Sequence, residues 1–204
     1  IGTVGGGTYT VLKRNQDEII RRSGRGIVVT MIADRDLARA NSFADNGEIV
    51  TDNAQDVVMH PEIDVVVELI GGTTIAKKLG LTAIAQGKHV VTANKALLAN
   101  HGTEIFSAAR AKGVMVAFEA AVAGGIPIIK ALREGLTANR IEWVAGIING
   151  TANFILSEMR EKSLPFAPVL EEAQKLGYAE ADPTYDIEGV DAAHKITIMS
   201  AIAF

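Results

Sequence analysis

Three apolar, β-branched runs set the frame for this chain. They lie at 63–69, 89–93 and 114–118, and the helical patterns between them stop at Gly87 and Gly113. Runs that are apolar on both faces belong to parallel strands covered by helices. Strand, helix, strand with glycine at the helix ends is the pattern of a doubly wound α/β sheet. The expected helices between the runs are 74–86 and 102–112, and ahead of them the sequence reads as a strand at 27–33 and helices at 37–45 and 54–59. Ligands of such sheets bind just past the carboxyl ends of the strands. The residues there are Gly2, Asp34-Arg35, Gly71-Gly72-Thr73, Asn94-Lys95 and Glu119.

The chain opens on Gly2-Thr3-Val4-Gly5-Gly6-Gly7 ahead of a helical pattern expected over 8–22. With one more glycine before Ile1 this is G-x-G-x-x-G at the first turn of a Rossmann-type fold. Its glycines allow a tight turn, close approach of a pyrophosphate and close helix packing, and the helix N-terminus offers N–H groups to the phosphates. Gly2, Thr3, Val4, Gly5 and Thr73 are therefore expected to bind a dinucleotide. At the end of the next strand, Asp34 favours NAD by accepting from the ribose hydroxyls, and Arg35 favours NADP by pairing with a 2′-phosphate. The choice stays open, with a lean to NADP because a solvent-facing Asp34 can turn away while Arg35 reaches in.

Lys95 follows a strand in the middle of the expected sheet, where the nicotinamide rather than the adenine belongs. A cation at the start of a helix is electrostatically misplaced, which points to a role in holding a substrate carboxylate or an ordered water. Beyond 118 the character changes. Glu119 and the turn 120–127 precede a helix at 127–134, the run 140–148 reads as a new strand, and helices follow at 154–162 and 168–176. We place the dinucleotide-binding domain at 1–125 and the start of a second α/β (α+β), catalytic and dimerisation domain at 126–204. Both ends read as cuts within a longer protein.

Composition removes several classes of function. A formal net charge of −4 gives no electrostatic case for nucleic acid or an anionic membrane. The absence of cysteine excludes thiolate catalysis, disulfides and cysteine-ligated metals, and suits the cytoplasm. The longest apolar region, 114–132, is interrupted by Glu119, Gly124-Gly125 and Pro127 and is no membrane span.

The segment 177–195 carries five carboxylates and ends on a lysine inside an apolar helical pattern over 190–204. Asp182-Pro183 interrupts any helix there. Asp191 and Lys195 are spaced i,i+4 and leave one face of the last helix. Either this is an ordinary helix ion pair beside a solvated loop, or it is a substrate site with carboxylates for an ammonium group and a lysine to pass a proton.

These residues together resemble the homoserine dehydrogenase family. The resemblance runs over nearly the whole chain, through Gly2-Thr3-Val4-Gly5, the run 87–97 containing Thr92-Ala93-Asn94-Lys95, the run 118–127, Gly146-Ile147-Ile148-Asn149-Gly150-Thr151, Gly177-Tyr178-Ala179-Glu180-Ala181-Asp182-Pro183, and Asp191-Ala192-Ala193-His194-Lys195. It implies nicotinamide-dependent interconversion of L-homoserine and L-aspartate semialdehyde, on the route to threonine, methionine and isoleucine. It implies Lys195 as proton donor, Lys95 at the boundary of cofactor and substrate, and Glu180, Gly177, Asp186 and Asp191 around the substrate. It also implies a sodium site formed by Glu119 with the carbonyls of Val122, Gly124 and Ile126, and a homodimer or larger homo-oligomer. The first fingerprint glycine and the C-terminal part of the family are not in this sequence.

Three other readings compete. Aspartate-semialdehyde dehydrogenase forms a thioester on a cysteine, which this chain lacks. A sugar oxidoreductase with a lysine after a middle strand has no need of the acidic run 180–191. A dinucleotide-binding redox sensor needs neither Lys95 nor Lys195.

Overall fold

The computed structural model describes residues 1–204 and divides them into two compact units, Ile1–Phe118 and Glu119–Phe204. By its contacts the stretch 119–125, read from the sequence as the end of the first domain, belongs with the second unit.

The first unit runs α1 (Thr3–Arg14), α2 (Gln16–Ser23), β1 (Met31–Ala33), α3 (Leu37–Asn41), β2 (Ile49–Thr51), α4 (Ala54–Met59), β3 (Val65–Glu68), α5 (Thr74–Ala85), β4 (His89–Thr92), α6 (Lys95–Lys112) and β5 (Val116–Ala117). Every strand pair is parallel: β1 with β2, and β3, β4 and β5 side by side with β4 in the centre. Val66, Val90 and Val116 point into the core. α5 lays Ala76, Leu79, Ala83 and Ile84 on the sheet at helical spacing. Gly113 ends α6 in the left-handed conformation at φ 69, where a side chain is disfavoured and glycine is not. This is the α/β, Rossmann-type architecture that the alternation of runs implies.

The two strand groups are not hydrogen-bonded to each other. A Cβ added at Gly5 would meet Ile1 at 3.4 Å and Leu69, just past β3, at 3.9 Å.

The details depart from expectation where a partner decides the structure. The strand expected at 27–33 is regular only over Met31–Ala33, where β2 pairs with it; Val28 is 80% exposed. β2 itself was not read from the sequence. The glycine run 5–7 lies inside α1 rather than ahead of it, and Asn15 divides the expected helix 8–22 in two. A Cβ on Gly6 would come within 2.8 Å of the Phe43 ring, so close packing is what requires glycine there.

The second unit begins with a 3₁₀ turn at Glu119–Ala121, then α7 (Ile128–Lys130), which runs into a π-helical turn at Ala131–Gly135 in place of the single helix expected at 127–134. α8 (Gly150–Lys162), α9 (Phe166–Lys175), α10 (Thr184–Ile187) and α11 (Val190–Ala203) follow. Ile155, Val169, Ala173 and Ala179 form its core, backed by Phe154, Met159 and Leu170. The segment 140–148, expected as a strand, has no strand partner. Trp143 and Ile147 stand 74% and 78% exposed. A strand exists only through hydrogen bonds to a neighbour, and within these residues none is available. No helix is long and apolar enough to cross a membrane.

Candidate active site

Two groups of predicted residues are assembled, one in each unit. In the first, Gly2 caps α1 in an extended conformation with no side-chain hydrogen bond to the helix end. The first N–H taken by the chain is that of Gly6, donated to the Gly2 carbonyl. The N–H groups of Thr3, Val4 and Gly5 precede it, in the orphaned first turn of a 12-residue helix. Small residues and unpaired donors at a helix start fit a phosphate. Asp34 is not turned out to solvent. Its carboxylate accepts the Asp36 N–H at 2.9 Å, while Arg35 is exposed. Asp34 is thus hydrogen-bonded to the backbone while Arg35 reaches solvent, and the choice between NAD and NADP stays open.

Lys95 is the first residue of α6 and half-buried. Asn94 precedes it as N-cap, its side-chain oxygen accepting the Leu97 N–H at 3.0 Å. Asn94 Nδ2 donates across to the carbonyls of Ile70 at 3.2 Å and Gly72 at 2.6 Å. Thr73, half-buried, then opens α5 without a side-chain cap of its own. Sequence reasoning passed over Glu68, whose side chain is buried at the end of β3 and accepts from Thr92. Burial pushes its carboxyl above the ordinary value, against hydrogen bonds from Thr92, Ile70 and Asn94.

In the second unit Lys195 and Asp191 meet as predicted. Nζ of Lys195 lies 2.6 Å from Asp191 Oδ2 and donates to the Ile148 carbonyl at 2.6 Å. The lysine side chain is 18% exposed and that of the aspartate 6%, so this is a sheltered pair and not a surface one. An ammonium has three N–H donors, and the two contacts within the chain leave one for a ligand oxygen. Asp186 joins the cluster through a residue the sequence reading did not assign. Asn149 Nδ2 donates to Asp186 Oδ1 at 2.7 Å and to Asp191 Oδ2 at 3.0 Å. Its oxygen accepts the Ala152 N–H at 2.7 Å and caps α8, which fixes the orientation of the amide. The available signal was an asparagine after an apolar run at a helix start, where an N-cap is expected.

Glu180 and Gly177 lie on the loop leaving α9. Gly177 turns that loop at φ 77. Thr151 ties it to the start of α8 by donating to the Tyr178 carbonyl at 2.5 Å, and Tyr178 packs on Phe154 with ring centroids 4.8 Å apart. Ala179 is anchored in the core, and Glu180 is exposed one residue further on. An exposed carboxylate on an anchored loop can take up a ligand ammonium.

At 119–126 the carboxylate expected in a cation cage also serves the fold. Glu119 accepts the N–H groups of Ile129 and Lys130, each at 2.9 Å. The Ile126 carbonyl accepts the Ile128 N–H at 2.8 Å. Ala123 holds a left-handed φ of 50 and Gly125 one of 85. No group of three or more His, Cys, Asp or Glu side chains is placed to hold a metal. One carboxylate among backbone carbonyls is a hard-oxygen donor set of low charge, chemically suited to a group I cation.

Comparison with known proteins covers both units. Residues 1–119 match the family model described as homoserine dehydrogenase, NAD binding domain, and residues 127–204 match the one described as homoserine dehydrogenase. All of the chain aligns with the homoserine dehydrogenases of Pseudomonas aeruginosa, at 68% identity, and Neisseria gonorrhoeae, at 62%, and covers 46% and 47% of their lengths. The crystal structure of a homoserine dehydrogenase from Thiobacillus denitrificans superposes with a TM-score of 0.92 at 70% identity over all of this chain and 47% of that one. A hyperthermophilic archaeal homoserine dehydrogenase in complex with NADPH superposes with a TM-score of 0.76 at 28% identity, over 94% of this chain and 66% of that one. Two domain models in the family's order, over a fold with parallel strands and a paired lysine, lead to one conclusion: the chain belongs to the homoserine dehydrogenase family.

Proposed function

We propose that this chain supplies the NAD(P)-binding and substrate-binding parts of an enzyme that interconverts L-homoserine and L-aspartate semialdehyde. The observation that carries the reading is the sheltered Lys195 ammonium held by Asp191 and the Ile148 carbonyl. A nicotinamide, when bound, supplies or accepts the hydride. The residues of the chain do the rest. Lys195 gives a proton from Nζ to the oxygen of the semialdehyde as that oxygen gains charge, and takes it back in the reverse direction. Its held position also stabilises that charge without reorganisation. Glu180 binds the α-ammonium of the amino acid, with the loop at Gly177 presenting it. Asp186 and Asp191, bridged by Asn149, line the pocket, and Lys95 holds the boundary between cofactor and substrate.

On the first unit, Gly2, Thr3, Val4, Gly5 and Thr73 hold the phosphates, and Asp34 and Arg35 compete over the 2′ position of the adenosine ribose. Glu119 with the carbonyls of Val122, Gly124 and Ile126 seats sodium. The strain of a left-handed alanine, on the order of 1–3 kcal/mol, is then offset by the cation it helps to bind. The protein acts as a homodimer or larger homo-oligomer in the cytoplasm. A direct test follows nicotinamide absorbance on the full-length protein with L-homoserine, with a sugar, and with neither. Reduction with L-homoserine alone supports the reading; reduction with the sugar, or with no added substrate, replaces it. Omitting sodium tests the cation seat through the melting temperature, which should fall and recover when sodium is restored.

A further inference from the structure

Glu68 is a buried acid with no part in the chemistry above, and the cluster around it joins the two loops that carry the cofactor edge. Glu68 and Thr92 end neighbouring strands and are register partners across β3 and β4. Both are buried on one face, 4% and 2% exposed. The Thr92 hydroxyl donates to Glu68 Oε2 at 2.6 Å and accepts the Asn94 N–H at 3.0 Å. Glu68 Oε1 accepts the Ile70 N–H at 2.7 Å, and Asn94 Nδ2 reaches back to the Ile70 and Gly72 carbonyls. The circuit is closed. One carboxylate fixes the backbone at Ile70 and, through Thr92, the backbone at Asn94. Asn94 in turn fixes Gly72, which stands at φ 79, and the first turn of α6 that begins with Lys95.

A buried carboxylate is costly unless its hydrogen bonds offset the cost, and an apolar residue would fill β3 as well. Its retention therefore needs a return, and the bonds it makes all lead to residues past the strand ends. We propose that Glu68 is a positioning residue for the dinucleotide: it holds the loop 69–73 and the start of α6 in the shape that receives the nicotinamide end. The proposal rests on the dinucleotide-binding reading of the first unit and deepens it.

The test measures NADH and NADPH binding by fluorescence on the full-length protein, with homoserine kinetics alongside. Glu68→Ala leaves the Ile70 N–H and Thr92 hydroxyl unpaired and should weaken dinucleotide binding about tenfold or more. It should raise KM for the dinucleotide by a similar factor while KM for homoserine stays within about twofold. Glu68→Gln retains an acceptor for Ile70 and should recover most of the affinity. Thr92→Val keeps shape and fold while opening the circuit, and should weaken binding in the same direction even if Glu68→Ala fails to fold. A folded Thr92→Val protein that binds as the unaltered protein does, or a Glu68→Ala protein that loses melting temperature but no affinity, would overturn the proposal. An unaltered protein that binds neither dinucleotide would instead defeat the underlying reading of the first unit.

Discussion

Replacing Asn149 separates the geometry of the acid cluster from the folding of the unit that carries it. The side chain does two things: its oxygen caps α8 through Ala152, and its nitrogen bridges Asp186 and Asp191. Serine caps helices about as well as asparagine but is too short to span two carboxylates. Asn149→Ser should therefore keep the fold and lose the bridge. Hydrogen bonds to charged acceptors are worth about 1.5–3 kcal/mol each. Lys195 remains on Asp191 at 2.6 Å, so the lower part of that range applies. Released from the amide, the two acids repel and the lysine shifts with its partner. A loss of about 2 kcal/mol in kcat/KM, or about 30-fold, is expected, with the fold retained and the melting temperature lowered only by the lost bridge. Asn149→Ala should show the same kinetic loss together with a lower melting temperature, from about 1 kcal/mol of lost cap. Steady-state oxidation of L-homoserine by the full-length protein, followed by nicotinamide absorbance, reads both. Unaltered kcat/KM in a folded Asn149→Ser protein would refute the view that the amide sets the geometry of the lysine and its acids.

Three further outcomes follow from the structure. Glu180→Gln should raise KM for L-homoserine with little change in kcat, measured at saturating dinucleotide, because an exposed carboxylate that only orients the ammonium contributes equally to ground and transition states. Asp34→Ser should move the ratio of kcat/KM values for NADP and NAD toward NADP, since the held carboxylate is the feature that disfavours a 2′-phosphate. Burial raises the Glu68 carboxyl above its ordinary value of 4.5. The folded state thus keeps that proton to higher pH than the unfolded chain, and the contribution of Glu68 to stability declines as pH rises from about 4.5 through the folded value. Chemical denaturation across that window should show the decline and Glu68→Gln should lack it; equal slopes for the two proteins would contradict the assignment.

The sequence made the α/β alternation legible because each strand of the β3–β5 group is apolar on both faces and its helices end at glycines. It also placed Lys195 one turn from Asp191, since i,i+4 spacing on a helix is local information. What it did not show depends on distant partners. The extent of β1 is set by β2, which pairs with Met31–Ala33. The apolar run 140–148 has strand composition and no strand to lie beside. Glu68 finds Thr92 at a separation of 24 residues, and Asn149 finds Asp191 at 42. Neither pairing leaves a periodic mark on the sequence. Only the family resemblance made Glu119 a cation ligand, while its part in capping the helix at Ile129 and Lys130 emerged from the turn that brings them together.

The role of Lys195 as proton donor is tested most directly by Lys195→Met in the full-length protein, which keeps the length and apolar stem of the side chain and removes the ammonium. The account predicts that kcat for L-homoserine oxidation falls by about a thousandfold, while NADPH affinity stays close to that of the unaltered protein. A Lys195→Met enzyme that turns over within about threefold of the unaltered rate would contradict it, because a loss that small is far below what a proton-transfer group contributes.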